Sequence, residues 1–594
     1  MNHEDVPLMF QAPIEGRCQL QRVEKGKPHP AYKWKEEWTK PYPKSQPKSQ
    51  PKPATQKVDP FARPTKQTPA ATAENNPLAK APQFGDGVET QTYRIRWRLV
   101  TNCGQDETII RPTIGAKGYP YFPGSGMKGA FRRACTDAQA LDYCGGTDAD
   151  GNLQPGKLRF HGGYPTDTNW TKHLVDIVHS QEKKQVIKDE PRSTNANAQI
   201  SLHRLTLRFG ISSTQKDAKI NWDEVWRIWE KALSKGLGSR VSAGYGYFDK
   251  IPSGKPLVTV GLKGEGIAST LLGKDDGNAE YNTPEFRPNM FKAALRGHTL
   301  RVLGGMTDEA RAKYLTKVLW GGFREGYSGQ KAANDRGDNG IVGLLGVDFE
   351  SPDGDILGVH TYKNDRTQSQ PIYNLKNGTL RVLSLTSTPD ENLQTLASDL
   401  IQFAMLLGGF GKSWRRIDHL EFYNSYTKRK PTIGCHWQFS SGSESFYLPI
   451  NTLEDVGKFI DRVCHNLQTW ASGQINLGNT TASHWREAWH PHANRGGVEV
   501  WGRMTEDDRS QAIHWFHGKY NRANSIYKSS LTGKMGQTGR IWHRMYPSYQ
   551  TNASQKLQRQ DGYVEFLTMF PDTSDTAKKF RDFLQDESDF QKIW

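Results

Sequence analysis

A glycine-containing turn followed by cations gives the chain its first candidate site for a phosphate. The turn is Gly124-Ser125-Gly126, and it stands where a helix is predicted to begin. Backbone N–H groups in the first turn of a helix have no partner inside the helix and attract anions. The cations that follow within that helix are Lys128, Arg132 and Arg133. Taken alone, the segment is also typical of an ordinary capped helix, but with its cations it favours contact with a sugar-phosphate backbone.

A second segment repeats this arrangement further along the chain. It again begins with proline, at Pro284, and a helix is predicted from Met290. Lys292 and Arg296 are four residues apart, and such residues lie on the same side of a helix. We therefore expect both cations to face one ligand.

Each of these helices is followed, after an interval, by a glycine-rich loop that contains cations. Loop 1 is Gly236–Phe248 and loop 2 is Gly408–Arg416. Glycine has no side chain and accepts positive φ, so we expect these loops to let the backbone approach RNA closely. The predicted RNA-binding residues are Gly238, Arg240 and Gly244 in loop 1 and Gly409, Gly411, Lys412, Arg415 and Arg416 in loop 2. One such loop is weak evidence, and two in the same order are stronger.

The elements that would position these residues also occur twice, as strand, loop, helix, strand, helix and glycine loop. The predicted elements are 92–100, 125–140, 203–212 and 222–233, then 257–262, 290–303, 380–386 and 396–407. This order predicts an α+β fold with two ferredoxin-like domains, 92–255 and 256–594, the second with an insertion and a C-terminal region. In the first strand, apolar residues alternate with Arg94, Arg96 and Arg98, so we expect one apolar face and one cationic face.

Charge and composition favour a polyanionic partner. The 594 residues carry a formal net charge of +16 and include 17 Trp. Residues 17–66 hold thirteen Lys or Arg and four acidic residues, a net charge of +9. Within the N-terminal segment 1–91, Pro41–Pro82 has almost no aliphatic residues, which predicts a flexible basic linker. Positive charge with many aromatic rings suits single-stranded RNA or DNA.

Other classes of protein are disfavoured. No stretch approaches the roughly 20 apolar residues of a membrane helix, so we expect no membrane partner. Met1–Phe10 lacks the apolar core of a signal peptide, and none of the six cysteines pair as C-x-x-C. We therefore expect a cytoplasmic protein without a disulfide framework or a zinc knuckle.

The segment Tyr121–Arg132, which reads YFPGSGMKGAFR, resembles the glycine-rich signature of the RAMP superfamily, the CRISPR-associated RNA-binding proteins with RRM-like, ferredoxin-type folds. Loop 1 is similar to the C-terminal glycine loop of that family, and loop 2 resembles a run in its Cmr-type members. The resemblance covers about 92–422, with a looser one through 501–570. It implies a Cas-seven-type backbone subunit of a type III CRISPR effector complex, with two RAMP units fused in one chain. Its partners would be a guide RNA, a complementary target RNA and other effector subunits.

The resemblance also implies a site for cleaving target RNA. RNA-cleaving members carry an aspartate in the loop after the first strand, and here Asp106 precedes Arg111-Pro112 at the matching place. An aspartate can hold a divalent cation, Mg²⁺ for example, or orient a ribose 2′-OH for attack on its own phosphate. Asp106 is thus predicted as catalytic residue and metal ligand of an endoribonuclease that acts within the assembled complex. The alternative is a loop carboxylate that caps Thr108 or faces water.

Two other functions stay open from the sequence. One is a non-catalytic capping subunit that only orders the guide RNA. The other is a guide-processing endonuclease, for which His161 is a candidate general base. A further group of histidines fits no zinc pattern and indicates aromatic packing or stacking on RNA instead: His484, His490, His492, His514 and His517.

Overall fold

The computed structural model describes most of the chain after residue 80. The described residues are 21–22, 81–101, 105–106, 109–110, 112–179, 196–215, 219–271, 274–275, 278–279, 283–323, 340–352, 356–363, 367–386, 391–490, 497–534 and 537–594. They form two compact units, one of Met1–Asp176 with Ala198–Ala232 and one of Ile177–Asn197 with Leu233–Trp594. All but two residues of the predicted linker Pro41–Pro82 lie outside the described residues.

The first unit contains a three-stranded antiparallel sheet with helices packed on it. Its main elements are β1 (Glu89–Arg94), α1 (Gly124–Ala134), α2 (Asp137–Cys144), β2 (Leu158–Pro165), β3 (Thr206–Ser213) and α3 (Trp222–Leu233), with strand order β1–β3–β2. Leu207, Phe209 and Ile211 of β3 alternate toward the core and are fully buried. The ring of Phe209 lies 5.0 Å from that of Trp229 on α3. The core of this unit therefore lies between the sheet and its helices.

The predicted strand 92–100 is interrupted, because β1 ends at Arg94. Arg94 is exposed, whereas Arg96 and Arg98 are only 4% and 3% exposed. Arg98 donates a 2.8 Å hydrogen bond to the hydroxyl of Ser201. The predicted cationic face is therefore wrong for Arg96 and Arg98: beyond the end of β1 the strict alternation of a strand no longer sets the direction of the side chains.

The predicted helix 125–140 is two helices. α1 ends at Ala134, and α2 begins after Thr136, whose hydroxyl accepts a hydrogen bond from the amide of Gln139. The Gln139 side chain accepts in turn from the Thr136 amide at 2.9 Å. This reciprocal cap is a helix-start signal present in the sequence.

The second unit contains two larger antiparallel sheets and seven helices among its described residues. Its strands are β4 (Pro256–Ile267), β5 (Leu345–Glu350), β6 (Leu357–Lys363), β7 (Thr367–Ser384), β8 (Cys435–Phe439), β9 (Glu499–Thr505), β10 (Ile541–Thr551), β11 (Leu557–Met569) and β12 (Gln591–Lys592). Its helices are α4 (Asn289–Gly304), α5 (Glu309–Trp320), α6 (Glu391–Leu407), α7 (His419–Phe422), α8 (Glu454–Ser472), α9 (Ala512–His517) and α10 (Asp575–Asp586). One sheet has the order β5–β7–β4–β8, with β6 paired to β7, and the other β10–β11–β9–β12.

The remaining elements among the described residues are short strands and turns of 3-10 helix. The short strands are Gln21–Arg22, Arg98–Leu99, Gln105–Asp106, Ile109–Ile110, Gly145–Thr147, Leu153–Pro155, Val175–His179, Ala196–Ile200, Leu202–His203, Ser269–Thr270, Lys274–Asp275, Asn278–Ala279, Pro284–Glu285, Gly322–Phe323, Gly340–Ile341, Gly533–Lys534 and Gln537–Thr538. The 3-10 turns are Ala116–Gly118, Thr168–Thr171 and Glu444–Phe446. The α+β class is confirmed, and so are the predicted helices 222–233, 290–303 and 396–407 to within a few residues at their ends.

Aromatic packing fixes the start of α4 in the core of the second unit. The ring of Phe291 lies 4.6 Å from that of Phe349 on β5 and 4.9 Å from that of Phe410 in loop 2. All three side chains are fully buried. Within the described residues, no helix combines the length and the apolar character needed to cross a membrane.

Candidate nucleic-acid interface

Both glycine loops meet the first residues of α4. A Cβ built on Gly244 of loop 1 would lie 3.4 Å from Cγ of Pro288, the residue before α4. A Cβ built on Gly411 of loop 2 would lie 3.0 Å from Sδ of Met290. Sequence order assigns loop 1 to the helix that contains Lys128, but loop 1 belongs to the second unit and packs against α4.

Loop 1 owes its shape to glycine. Gly236, Gly238, Gly244 and Gly246 all have positive φ, between 75° and 87°. A Cβ on Gly246 would lie 1.9 Å from the carbonyl oxygen of Leu237, so no other residue fits there without a backbone shift. Gly236 and Gly246 are explained by how the loop folds on itself, and the predicted contact of Gly238 and Gly244 with RNA stays a prediction.

Loop 1 is attached to the edge of the first large sheet of the second unit. The amide of Val347 on β5 donates a 3.0 Å hydrogen bond to the carbonyl of Ser242, and Ala243 forms a parallel bridge with Val347. Because β5 is the terminal strand of that sheet, loop 1 pairs with part of an otherwise open edge. This attachment holds Ser242 next to α4.

Lys292 and Arg240 form the cationic centre of the interface. Lys292 Nζ donates a 2.6 Å hydrogen bond to the hydroxyl of Ser242. Burial, and then the charge of Arg240, lower the pKa of Lys292 to about 8. The first turn of α4, which lies wholly within the described residues, has no acidic residue. Two neighbouring cations beside a helix start favour an anionic ligand.

Two more of the predicted cations lie in or next to these elements. Arg296, one turn along α4 from Lys292, is half-buried, and burial lowers its pKa to about 10. Lys412 of loop 2 is exposed, and its Nζ donates to the carbonyl of Ala268 at 3.3 Å. Of the predicted cations of the second unit, Arg240 and Lys292 thus lie at the α4 start, whereas Arg296 lies further along α4 and Lys412 in loop 2.

Arg415 and Arg416 lie in loop 2 but turn into the protein. Arg415 donates to both carboxylate oxygens of Glu487, at 2.8 and 3.0 Å. Arg416 donates to the carbonyls of Ile541 and Thr532 at 2.5 and 2.7 Å. These contacts give both guanidinium groups a role in the interior, and the geometry lends no support to their predicted contact with RNA.

The glycines of loop 2 allow close packing on rings. Gly409 has a φ of +149°, and a Cβ there would lie 2.9 Å from Cδ1 of Trp437. Gly411 has a φ of +86° and lies against Met290. The backbone of this loop approaches the protein's own side chains, so contact with RNA again stays a prediction.

The first unit carries a separate cationic helix, α1. Its exposed residues include the predicted site residues Ser125, Lys128, Arg132 and Arg133. No side chain among the described residues caps this helix, whose first turn contains no acidic residue. Gly124 is explained by packing, since a Cβ there would lie 2.2 Å from the carbonyl oxygen of Phe160 on β2. The α1 surface is compatible with phosphate contact.

Asp106 lies in the short strand Gln105–Asp106, which pairs with Ile109–Ile110. Its side chain and Arg111 lie outside the described residues. Elsewhere in the described part of the chain, no three His, Cys, Asp or Glu side chains come together in a way that could hold a metal ion. The catalytic and metal-binding roles of Asp106 therefore stay predictions.

Two of the candidate histidines, His161 and His484, have hydrogen-bond partners within the protein. His161 Nε2 lies 2.8 Å from the hydroxyl of Ser212, and burial lowers its pKa below the ordinary range. His484 Nε2 lies 2.7 Å from a carboxylate oxygen of Glu309. His492 lies outside the described residues. Among the described residues, none of these histidines belongs to a group of three side chains that could hold a metal ion.

Two features of the surface are absent from the sequence-based prediction. One is Ser242, the partner of Lys292, which no motif singles out. The other is the exposed run Lys428-Arg429-Lys430, which lies beside half-exposed rings. Its three consecutive cations are a sequence signal that would have found it.

Comparison with known proteins connects part of the chain to one family. Residues 105–249 match the RAMP superfamily. No curated protein matches the chain. The type III-B Cmr-beta complex bound to cognate target RNA contains a chain 20% identical over 27% of this chain, with a TM-score of 0.21, and the match spans 58% of that chain. Cmr1 from Pyrococcus furiosus in its apo form is 11% identical over 56% of this chain and 98% of its own, with a TM-score of 0.27. The matched segment, which includes α1, α3 and loop 1, is thus similar to the RAMP superfamily.

Proposed function

We propose that the chain is a guide-RNA-binding backbone subunit of a type III CRISPR effector complex, of the Cas-seven type, with ferredoxin-like RAMP domains at 92–255 and 256–594. The observation that carries this proposal is the meeting of both glycine loops at the start of α4, where Lys292 and Arg240 lie together. The RAMP match over 105–249 supports the class of ligand. Its partners are the guide RNA, a complementary target RNA and other effector subunits.

The chemistry of this interface suits a ligand that is held by its phosphates. Ammonium and guanidinium groups attract phosphate oxygens without distinguishing between bases. A guide held in this way keeps its base edges free to pair with a target. Retention of guide should therefore depend on salt and be indifferent to the guide's sequence.

Sequencing of RNA that copurifies with the chain tests the proposal. We expect repeat-derived guides in the parent protein and a clear loss of guide from a Lys292→Gln, Arg240→Asn double variant. Asn suits position 240 because Arg240 has a φ of +62°, a conformation that Asn tolerates. Lys458→Gln, which removes an exposed cation of α8, is the matched control. Random RNA in the parent, or full guide retention in the double variant, contradicts the proposal.

We further propose that Asp106 takes part in cleavage of bound target RNA. The 2′-OH of the target attacks the adjacent phosphate, the bond to the 5′ oxygen breaks, and a 2′,3′-cyclic phosphate forms. The placement of Asp106 before Arg111-Pro112 supports this assignment. The family resemblance implies a divalent cation, Mg²⁺ for example. Because the described residues offer it no group of ligands, we derive no step through it.

Asp106→Asn in the assembled complex tests cleavage separately from binding. We expect target binding to persist while one cleavage product disappears. A target with a 2′-deoxy residue at the cut should bind and stay intact, because the nucleophile is missing. If Asp106→Asn leaves every product in place, the chain is a non-catalytic subunit that orders the guide.

A further inference from the structure

A surface of the second unit combines half-exposed and exposed rings with exposed cations, and none of these residues is among those assigned to the guide. The rings lie on three elements: β6, the segment that follows α7, and α9. They are His360, Tyr362, Tyr423, Tyr426, His514 and His517, and we call them, together with the exposed Lys428, Arg429 and Lys430, the aromatic–basic patch.

The rings of the patch are arranged as a partial stack. The Tyr423 and His517 rings are 5.4 Å apart and nearly parallel, at 13°. Tyr426 lies 6.1 Å from Tyr423 at 27°, and His514 meets the edge of Tyr423 at 5.1 Å. Tyr423 and Tyr426 are half-buried, whereas both histidines are exposed. Parallel rings that remain partly open to solvent are the arrangement on which unpaired bases stack.

The strand β6 extends this surface. His360 and Tyr362 are stacked at 6.1 Å and 19°, and His360 Nε2 lies 2.8 Å from the carbonyl oxygen of Lys430. Lys430 Nζ lies 5.0 Å from the centre of the Tyr426 ring. These two contacts of Lys430 join the rings of β6 to those that follow α7.

The cations of the patch are available to an anion. Among the described residues, none supplies a carboxylate within ion-pair distance of Lys428 or Arg429, and both are exposed. Two acidic residues lie nearby: Asp418 is buried and its carboxylate accepts a 2.7 Å hydrogen bond from the amide of Leu420, whereas Glu421 is exposed. One exposed carboxylate thus faces the three consecutive exposed cations Lys428, Arg429 and Lys430, which leaves this surface with a net positive charge.

We propose that the aromatic–basic patch binds a single-stranded nucleic acid segment, with unpaired bases stacked on its rings and phosphates held by Lys428 and Arg429. A double-stranded ligand does not fit this role, because its base faces are covered by their neighbours. The inference does not depend on the guide assignment, since no residue of the patch belongs to the α4 interface.

Binding of labelled oligonucleotides to the full chain tests the proposal. The ligands are a short oligouridine and an abasic oligomer of the same length, measured by fluorescence anisotropy in the Lys292→Gln, Arg240→Asn background, which weakens the α4 interface. The ring variant is His514→Ala with His517→Ala. The charge variant is Lys428→Gln with Arg429→Gln, and its matched control is Lys458→Gln with Lys578→Gln, which removes two exposed cations elsewhere.

We expect the ring variant to weaken oligouridine binding about tenfold and to leave abasic binding unchanged, because only bases stack. The charge variant should weaken binding of both ligands and reduce the salt slope by about 1.4, at about 0.7 per phosphate. Photo-crosslinking of a thiouridine-labelled strand to the peptide with Tyr423 would support the same conclusion. Tyr423→Phe, which keeps the ring, should bind like the parent.

Three results would overturn the proposal. One is equal binding of oligouridine by the parent, the ring variant and the charge variant. Another is the absence of any base-dependent binding in the tested background. The last is unchanged nucleic-acid binding by variants that no longer assemble with other subunits, which would identify the patch as a protein interface.

Discussion

The ammonium group of Lys292 and the hydroxyl of Ser242 are joined by a 2.6 Å hydrogen bond that ties α4 to loop 1. Burial and Arg240 together lower the pKa of Lys292 to about 8. A phosphate beside this ammonium would stabilise its charged form. The affinity for an anion should therefore depend on the protonation of one amine.

Guide binding through Lys292 should weaken as the pH rises. Because the pKa of Lys292 is about 8 in the free protein, most of its charge is present at pH 7 and is lost by pH 9.5. We expect RNA affinity in the parent to fall over this range and to fall less in Lys292→Ala, measured by anisotropy at constant ionic strength. Glu265, whose pKa burial raises to about 8, titrates in both proteins, so only their difference reports on Lys292. Identical pH profiles would contradict this role.

The cations of α1 should contribute to RNA binding through charge alone. Lys128 and Arg132 are exposed on one helix face, four residues apart. Replacing both with Gln should lower the salt slope of RNA binding by about 1.4 and affect all RNA sequences equally. The control is Lys578→Gln with Lys579→Gln on α10. A change that depended on RNA sequence would contradict a phosphate contact.

Removal of the Glu487 carboxylate should strongly destabilise the fold. Glu487 is fully buried and accepts hydrogen bonds from Arg301, Arg415 and Arg486, each at 2.8 Å. Burial alone would raise its pKa, but the three arginines lower it to about 2. Glu487→Gln leaves these buried cations without a counter-charge, so we expect a loss of about 3–5 kcal/mol in the free energy of unfolding.

Urea denaturation measures that loss, and Glu454→Gln is the control, because its carboxylate is 84% exposed and should change stability by less than about 0.5 kcal/mol. The folded-state pKa of Glu487 is depressed, so its contribution is complete above about pH 4.5 and declines as the pH falls toward 2. A stability difference between parent and Glu487→Gln that grew on acidification would contradict the ion-pair account.

The chain should tolerate a side chain at Gly254, six residues after loop 1, better than at Gly244 within loop 1. Nothing lies within 4 Å of a Cβ on Gly254, and its φ is not positive. Gly244 has a φ of +87°, so alanine there strains the backbone by about 1 kcal/mol or more. We expect Gly244→Ala to lower both the melting temperature and guide retention, and Gly254→Ala to change neither. Equal behaviour of the two variants would show that loop 1 does not depend on its glycine conformation.

Secondary structure could be predicted from the sequence where it depends only on local signals, such as the spacing of apolar residues. The helix 222–233 was predicted with its observed bounds because its apolar residues recur with helical spacing. The start of α2 was missed, although Thr136 and Gln139 form a recognisable cap. Arg96 and Arg98 were placed on a solvent face because alternation was extended beyond the end of β1.

The cations of the candidate site were predictable as residue types but not as partners. The order of elements along the chain predicts that loop 1 lies in the same site as α1. Long-range packing instead places Ser242 of loop 1 beside Lys292 of α4. The position of Arg415 in a glycine loop predicts an RNA contact. In the folded protein its guanidinium group instead binds Glu487, which is 72 residues away in sequence. Such pairings depend on tertiary contacts, which no local pattern encodes.

The attachment of loop 1 to β5 limits where a recombinant fragment of the second unit can begin. The hydrogen bond from Val347 to Ser242 pairs part of a terminal strand whose inward residues Leu345, Val347 and Phe349 are entirely apolar. A recombinant fragment that began at residue 256 would lose loop 1 and leave this strand open to pairing with another molecule. Such a fragment should aggregate more during purification than one that begins at residue 233 and keeps loop 1. The RAMP match ends at residue 249, so the matched segment and the unit that folds around α4 overlap at residues 177–197 and 233–249, which include loop 1.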